Sequence, residues 1–403
     1  MTFDVEKIRN DFPFIQNNKD LIYFDNAATT QKPKCVLDEI TFFYSNYNSN
    51  VHRGVYKIAE EATIKYESTR DSIANFINAD NRDSIIFTSG ATEAINLIAY
   101  GWARNKLTRG DHILLSEMEH HSNIVPWQII ANELGLIIDY IPINSDYELD
   151  LEEIDKYFHS NTKIVSIVHQ SNVLGTINPI KKIIKYAQSC NVLTVIDACQ
   201  SIVHQEIDVQ NLDCDFLVFS GHKLYGPTGV GVLYGKMDSL NQMSPFMGGG
   251  EMIDKVTKEN FTMNKIPWKY EAGTPQICQV IALKSAIEYL QKIGIDNINN
   301  YEKQLFDYAR TKLRDINSIE FYNPNHNNGP IITYNFENVN SYDYTKILDT
   351  MNIAIRTGHH CAQPLHECLK IPSSNRLSLS FYNTIEEIDF FISATKKALQ
   401  ILE

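Results

Sequence analysis

Two charged residues stand where apolar runs stop. Val192-Leu193-Thr194-Val195-Ile196-Asp197 is a strand-like run that ends in an aspartate. Phe216-Leu217-Val218-Phe219-Ser220-Gly221-His222-Lys223 is another, which passes through small and polar residues to a lysine. In a parallel sheet the carboxyl ends of the strands open onto the crevice that receives ligands. Asp197 there either caps the next helix or presents a fixed negative charge to a cationic ligand. Lys223 is either a surface lysine or an amine whose pKa is lowered enough to condense with an aldehyde. An acid and a lysine on successive strand ends together suit pyridoxal 5′-phosphate. The lysine takes the aldehyde carbon and the aspartate keeps the ring nitrogen protonated.

Such a cofactor needs a seat for its phosphate. Ser89-Gly90-Ala91-Thr92-Glu93-Ala94 follows a strand ending at Thr88 and opens a helix. The first free N–H groups of that helix can face a phosphate, and Thr92 can add a hydroxyl. An ordinary helix cap explains the same turn. Met118-Glu119-His120-His121-Ser122-Asn123 lies just past another strand, where a histidine can stack on a flat ring or serve a structural role. Cys361, one of seven cysteines, lies in Arg356-Thr357-Gly358-His359-His360-Cys361-Ala362. It can be a buried small hydrophobe, a zinc ligand together with His359, His360, His366 and Cys368, or a nucleophile. Neighbouring histidines and Arg356 would favour its thiolate, the reactive form.

Short apolar runs alternate with longer amphipathic stretches over most of the chain. Strands are predicted at 84–88, 112–116, 137–141, 164–169, 192–196, 216–220 and 230–234, with helices at 91–105, 123–134 and 180–190. This alternation predicts an α/β protein with a mostly parallel seven-stranded sheet flanked by helices. After Thr274-Pro275 the pattern changes to a long helical region at 276–314, strands at 331–336 and 376–380, a helix at 342–351, an irregular stretch at 356–372 and a last helix from Ile385. The expected division is a large domain of residues 20–275 and a smaller α+β domain of residues 1–19 and 276–403.

The composition narrows the classes. The chain has 403 residues, 36 Lys plus Arg and 49 Asp plus Glu, a net charge of −13. An acidic chain with scattered basic residues is not expected to bind nucleic acid or an anionic membrane. Hydrophobic residues make up 43 %, too many for a disordered chain. No C-x-x-C pair occurs, so reduced thiols are expected rather than a disulfide framework. No basic-then-apolar leader and no apolar run of about 18 residues is visible. A cytoplasmic location of bacterial type is expected, or an organelle matrix where a transit peptide has been removed.

Several segments together carry a resemblance. Asp25-Asn26-Ala27-Ala28-Thr29, Asn50-Val51-His52-Arg53-Gly54, Glu119-His120-His121, Ser171-Asn172-Val173-Leu174-Gly175, Ser220-Gly221-His222-Lys223-Leu224-Tyr225-Gly226-Pro227 and the Arg356–Ala362 loop resemble the SufS-type (group II) cysteine desulfurases. These are fold-type-I pyridoxal-phosphate enzymes of the class V aminotransferase group. The resemblance implies that Lys223 binds the cofactor covalently, Asp197 pairs with its ring nitrogen, His120 stacks on the ring and Gln200 contacts its hydroxyl. Thr92, Ser220, His222 and the backbone of Ala91 would hold the phosphate, with Thr274 supplied by a partner subunit. Ala91 departs from the threonine common in the group. Asn172 and Arg376, with Arg356, would bind the substrate carboxylate. Cys361 would be the nucleophile, and His120 the acid/base ahead of His360.

The implied reaction converts L-cysteine to L-alanine, leaves the sulfur on Cys361 as a persulfide and serves iron–sulfur cluster assembly; no resident metal is expected. A selenocysteine lyase or cysteine sulfinate desulfinase is the alternative. Relatives that hand sulfur to a zinc-bearing scaffold carry a histidine before an aspartate where this chain has Tyr342-Asp343. A SufE-type acceptor is therefore expected, together with a homodimer.

Overall fold

The computed structural model describes residues 3–323 and 328–402. Its centre is a seven-stranded sheet built from β1 (Ile85–Thr88), β2 (His112–Ser116), β3 (Ile137–Ile141), β4 (Thr162–Val168), β5 (Leu193–Asp197), β6 (Phe216–Ser220) and β7 (Gly231–Gly235). The spatial order is β1-β7-β6-β5-β4-β2-β3. All neighbouring pairs are parallel except those of β7, which runs antiparallel to β1 and β6. Crossover helices cover both faces, so the strands read as near-continuous apolar runs. Alternation along each strand still sorts side chains to opposite faces. Leu114, Ile167, Ile196 and Leu217 enter one core, and Ile113, Ile164, Val195 and Val218 enter the other.

The second sheet has four antiparallel strands in the order Ile319–Phe321, Ile331–Phe336, Ser374–Ser378, Arg356–Gly358. Ile332, Tyr334 and Leu377 pack under it against Phe306, Leu313, Leu348 and Phe391, in helices Ile295–Arg314, Ser341–Asp349 and Ile385–Leu402. A two-residue strand at Ile22–Tyr23 pairs in parallel with Ile353–Ala354 and ties the start of the chain to this half.

Three expected elements change. The helical region at 276–314 is two helices, Ile277–Ile293 and Ile295–Arg314, because Gly294 takes φ 91° and turns the chain. The stretch at 356–372 is not irregular: it holds the edge strand Arg356–Gly358 and the helix Gln363–Leu369. The strand expected at 376–380 lies at Ser374–Ser378. The first residues form two short helices, Val5–Arg9 and Pro13–Asn17. Among the described residues no helix is long and apolar enough to cross a membrane.

Candidate active site

Five strand ends converge on one open cleft. Asp197 is the last residue of β5, and Lys223 ends the single turn Gly221–Lys223 that follows β6. β5 and β6 are neighbours in register, with Asp197 opposite Val218. Both side chains line the cleft. Asp197 is buried, and its Oδ1 accepts a hydrogen bond from the Cys199 N–H at 2.9 Å. A buried carboxylate is expensive unless a cationic partner joins it, and a protonated pyridine ring would supply one.

The turn after β1 forms a wall of the cleft. The Ala91 N–H donates to Ser220 Oγ at 2.9 Å, and the hydroxyls of Thr92 and Ser122 lie 2.7 Å apart. Ala91, Thr92, Ser122, Ser220 and His222 all line the cleft, a set of hydroxyls, an imidazole and a helix start suited to a phosphate. The approach of β7 to this turn demands glycine. A Cβ on Gly231 would meet Gly90 Cα at 2.4 Å. This packing constraint had no signature in the local sequence.

His120 follows β2, and the Ser122 N–H donates to its Nδ1 at 3.1 Å. In the neutral ring the proton therefore sits on Nε2. Burial, reinforced by Lys223 and opposed by Asp197, pushes the His120 pKa down to about 4. His222 is likewise lowered to about 4, by burial and then by Lys223 and Lys32. Both rings are neutral near pH 7, which suits one to stacking and the other to donating to an anion. The turn they sit beside is fastened from behind by Lys32, whose Nζ donates to Thr30 O at 2.6 Å and His222 O at 2.8 Å. Burial lowers the Lys32 pKa to about 7. Nothing in its neighbours along the chain marked Lys32 for this place.

The opposite wall comes from the four-stranded sheet. Arg356 and Arg376 are direct cross-strand partners, and both line the cleft. Arg376 is buried; its Nη2 donates to Asp25 Oδ1 at 2.8 Å and its Nη1 to Asn172 O at 2.9 Å. Arg356 lies 3.8 Å from the other oxygen of Asp25. Two guanidiniums thus share one carboxylate, which leaves a positive charge for an anionic ligand. Buried Arg376 Nε and Asn172 Oδ1 have no hydrogen-bond partner among the described residues.

Cys361 is exposed and lines the same cleft. It and His360 adopt left-handed backbone conformations, φ 58° and 50°. The loop is held from both sides. The His121 N–H donates to Cys361 O at 2.7 Å, and Asn172 Nδ2 donates to His360 O at 2.8 Å. His360 is buried and donates from Nε2 to Ser374 O at 3.0 Å. Burial and then Arg376 hold its pKa well below the usual histidine range. His360 is therefore a neutral strut and brings no positive charge to Cys361, which interacts electrostatically with Arg376. The zinc alternative for this loop finds no support among the described residues, where these His and Cys donor atoms do not gather at one point.

Two expected residues stand elsewhere. Gln200 lies one layer behind the cleft, its Nε2 donating to Ala27 O at 2.8 Å. Thr274 lines a separate hollow with His52, Arg53, Gly250 and Glu251. Cys199 and Asp25 belong to the site and were not expected as site residues. The remaining expected residues, from Lys223 to Arg376, share the one cleft. Its buried acid, its lysine, its hydroxyl cradle and its neutral imidazole fit pyridoxal 5′-phosphate.

The sequence profile of the aminotransferase class-V family matches residues 22–391. The chain is 44 % identical over 399 residues to a protein of Synechocystis sp. named probable cysteine desulfurase, covering 98 % of this chain and 95 % of that one. It is 45 % identical over 407 residues to the cysteine desulfurase of Wigglesworthia glossinidia brevipalpis, covering 100 % and 99 %. The crystal structure of the Escherichia coli cysteine desulfurase CsdA, an S-sulfonic acid form, superposes over 100 % of both chains with a TM-score of 0.94 at 36 % identity.

Proposed function

The chain belongs to the aminotransferase class-V family, and from that premise we propose that it is a pyridoxal-phosphate-dependent cysteine desulfurase whose nucleophile is Cys361. One observation carries this reading. An exposed thiol on a loop from the four-stranded sheet lines the same cleft as Lys223 and Asp197 at the strand ends of the seven-stranded sheet. An aminotransferase needs the lysine and the acid, but it has no use for a thiol there.

Bound in this cleft, pyridoxal phosphate supplies an aldehyde carbon and an electron-accepting ring. Lys223 is the amine that would hold the aldehyde at rest and the base that would take the substrate α-proton once freed. Asp197 would keep the ring nitrogen protonated, and His120 would offer its ring for stacking. Arg376 Nε and Arg356, with the second N–H of Asn172 Nδ2, would receive the carboxylate of cysteine, while Asp25 keeps the two guanidiniums in place. The Cys361 thiolate then attacks the substrate sulfur. The S–S bond forms as the Cβ–S bond breaks, and the bonding pair stays on carbon. That carbon would take a proton, for which the Nε2–H of His120 is available, Lys223 would return the α-proton to Cα, and alanine would leave.

The persulfide on Cys361 is handed to a protein acceptor of the SufE type and serves iron–sulfur cluster assembly in the cytoplasm. Support for this acceptor class is Tyr342, 53 % exposed at the start of helix Ser341–Asp349 where relatives using a zinc-bearing scaffold carry histidine. The working form is a homodimer in which Thr274 completes the phosphate seat of the other subunit. Its support is the hairpin Ile253–Val256/Phe261–Met263 beside the Thr274 hollow, where Val256, Phe261 and Met263 are exposed apolar side chains. The two-domain division, with Cys361 on the smaller domain, has its support in the separate core beneath the four-stranded sheet, while Phe12 and helix Ile277–Ile293 pack into the core of the seven-stranded sheet.

Mass spectrometry after incubation with L-cysteine tests the central claim. One extra sulfur on the peptide carrying Cys361, with alanine released, is the expected result. Full cysteine turnover by Cys361→Ser would overturn it. Turnover of selenocysteine that survives in that variant while cysteine turnover is lost would point to the selenocysteine lyase alternative.

A further inference from the structure

At the edge of the seven-stranded sheet away from β1, three side chains meet that the desulfurase reading does not use. His112 opens β2, Asp139 sits in the middle of the edge strand β3, and His159 lies in the turn before β4. Among the described residues, this is the one group of three His, Cys, Asp or Glu whose donor atoms all lie within 4.8 Å of one another. We propose that His112, Asp139 and His159 form a binding site for a zinc ion.

The backbone arranges the three before any ion arrives. β2 pairs in parallel with β3 and with β4, so His112 stands opposite Ile137, two residues before Asp139 on the same face, and opposite Thr162 at the start of β4. The His159 turn is closed twice: its N–H donates to Thr162 Oγ1 at 2.9 Å, and the Thr162 N–H donates to His159 O at 3.0 Å. The His112 N–H donates to Asn161 O at 2.9 Å and locks that turn to β2. His112 Nδ1 lies 2.6 Å from Asp139 Oδ2, and His159 Nε2 lies 3.7 Å from the same oxygen. Donors around a tetrahedral zinc stand about 3.4 Å apart for metal–ligand bonds of about 2.1 Å. The observed spacings bracket that value, so an ion needs only to spread one pair and draw in another.

The donor types select the metal. Two imidazoles and one carboxylate suit zinc, whereas calcium and magnesium prefer all-oxygen shells. Binding through His112 Nδ1 requires its proton on Nε2, with Asp139 ionised. The side chain of His159 is 49 % exposed, so a fourth position is open to water. The site is remote from the cleft: β2 runs from His112 to Ser116, about 13 Å at about 3.3 Å per residue, before the chain reaches the His120 turn.

Equilibrium dialysis of the cofactor-loaded protein against Zn²⁺, with the bound metal quantified, tests the proposal. The wild type should hold one zinc per chain more tightly than His159→Ala and Asp139→Asn. Loss of a direct ligand should weaken binding by at least the ~10–100-fold typical of losing an outer-shell partner. His159 is exposed, so His159→Ala should fold and turn over cysteine like the wild type. Zinc should also raise the melting temperature of the wild type and leave that of both variants unmoved. Equal zinc affinity and stoichiometry in all three proteins would overturn the site. So would zinc binding that survives both substitutions and disappears in Cys361→Ser or Cys368→Ser, because thiols would then be the ligands.

Discussion

The cleft has two walls of opposite construction. One is made from strand ends of the seven-stranded sheet: Asp197, Ser220 and Lys223 sit at or one turn past the last strand residue, with ordinary backbone conformations. The other is made from the Arg356–Ala362 segment and Arg376, where Gly358, His360 and Cys361 all have positive φ. The first wall is buried between two cores and placed by sheet register. The second carries an exposed thiol on a loop held by a few cross-chain hydrogen bonds. A cofactor that must stay put is served by the rigid wall. A sulfur that must be received inside and given away outside needs a thiol at the rim, and left-handed backbone is one way to lift it there.

Substitutions should separate the walls, and the largest effect is expected on the rigid one. Lys223→Ala should abolish turnover, since removing a general base alone costs about 10²–10⁴-fold. It should also remove the visible absorption that a lysine-bound cofactor gives; an unchanged spectrum would break the assignment. Next comes Cys361→Ser, which should suppress alanine release from cysteine by a similar factor while leaving the cofactor spectrum intact. Loss of cofactor in this variant would show that the two walls are not independent.

A smaller effect is expected at their seam. Arg376→Lys replaces a planar fork with a point charge, so kcat/KM should fall about 10–100-fold, on the scale of one charged hydrogen bond of ~1.5–3 kcal/mol. The loss should appear in KM, and a change confined to kcat would contradict carboxylate binding. Gly231→Ala acts only on the rigid wall. Its Cβ would press on the Gly90 backbone, and overpacking of this kind costs about 1–3 kcal/mol. The expected outcome is weaker cofactor retention and a lower melting temperature, with any residual persulfide still on Cys361.

The smallest effect is on pH. His120, His169 and His222 have folded-state pKa values pushed down to about 4, burial being the first cause in each. The unfolded chain then binds more protons between about 6.5 and about 4, so stability is full above that window and is lost as pH falls through it. Glu119 runs the other way. Burial raises it to about 8, so its contribution is present below the ordinary carboxylate range and fades as pH rises toward 8. Thermal melts from pH 4 to pH 8 should show a maximum inside this range. A melting temperature that climbs steadily as the solution is acidified would contradict the neutral state of the three rings.

Much of the site was legible because its motifs are local. A strand followed at once by Asp197, by Gly221-His222-Lys223 or by Gly90-Ala91-Thr92 states both the residue and the element that presents it. The seven-stranded sheet was legible for the same reason, since strands buried on both faces are short apolar runs. Residues whose role depends on a distant partner were read less well. His360 shares its chemistry with His120, but only the packing of Ser374 against it shows that its ring is occupied. Gln200 is polar and adjacent to the site, yet its amide is turned to Ala27. Asp25 looked like part of a motif, and its partner Arg376 is 351 residues away.

By itself the sequence determined the strands of the seven-stranded sheet and which of them end in a reactive group, because apolar period and the residue after a strand are properties of neighbours along the chain. The tertiary structure alone decided that β7 runs against its neighbours, that two arginines share Asp25, that His120 carries its proton on Nε2 and that Cys361 shares a cleft with Lys223. Those facts depend on contacts between residues tens to hundreds of positions apart. Sheet register, burial and the charges nearby set them, and none of these is written in any short stretch of residues.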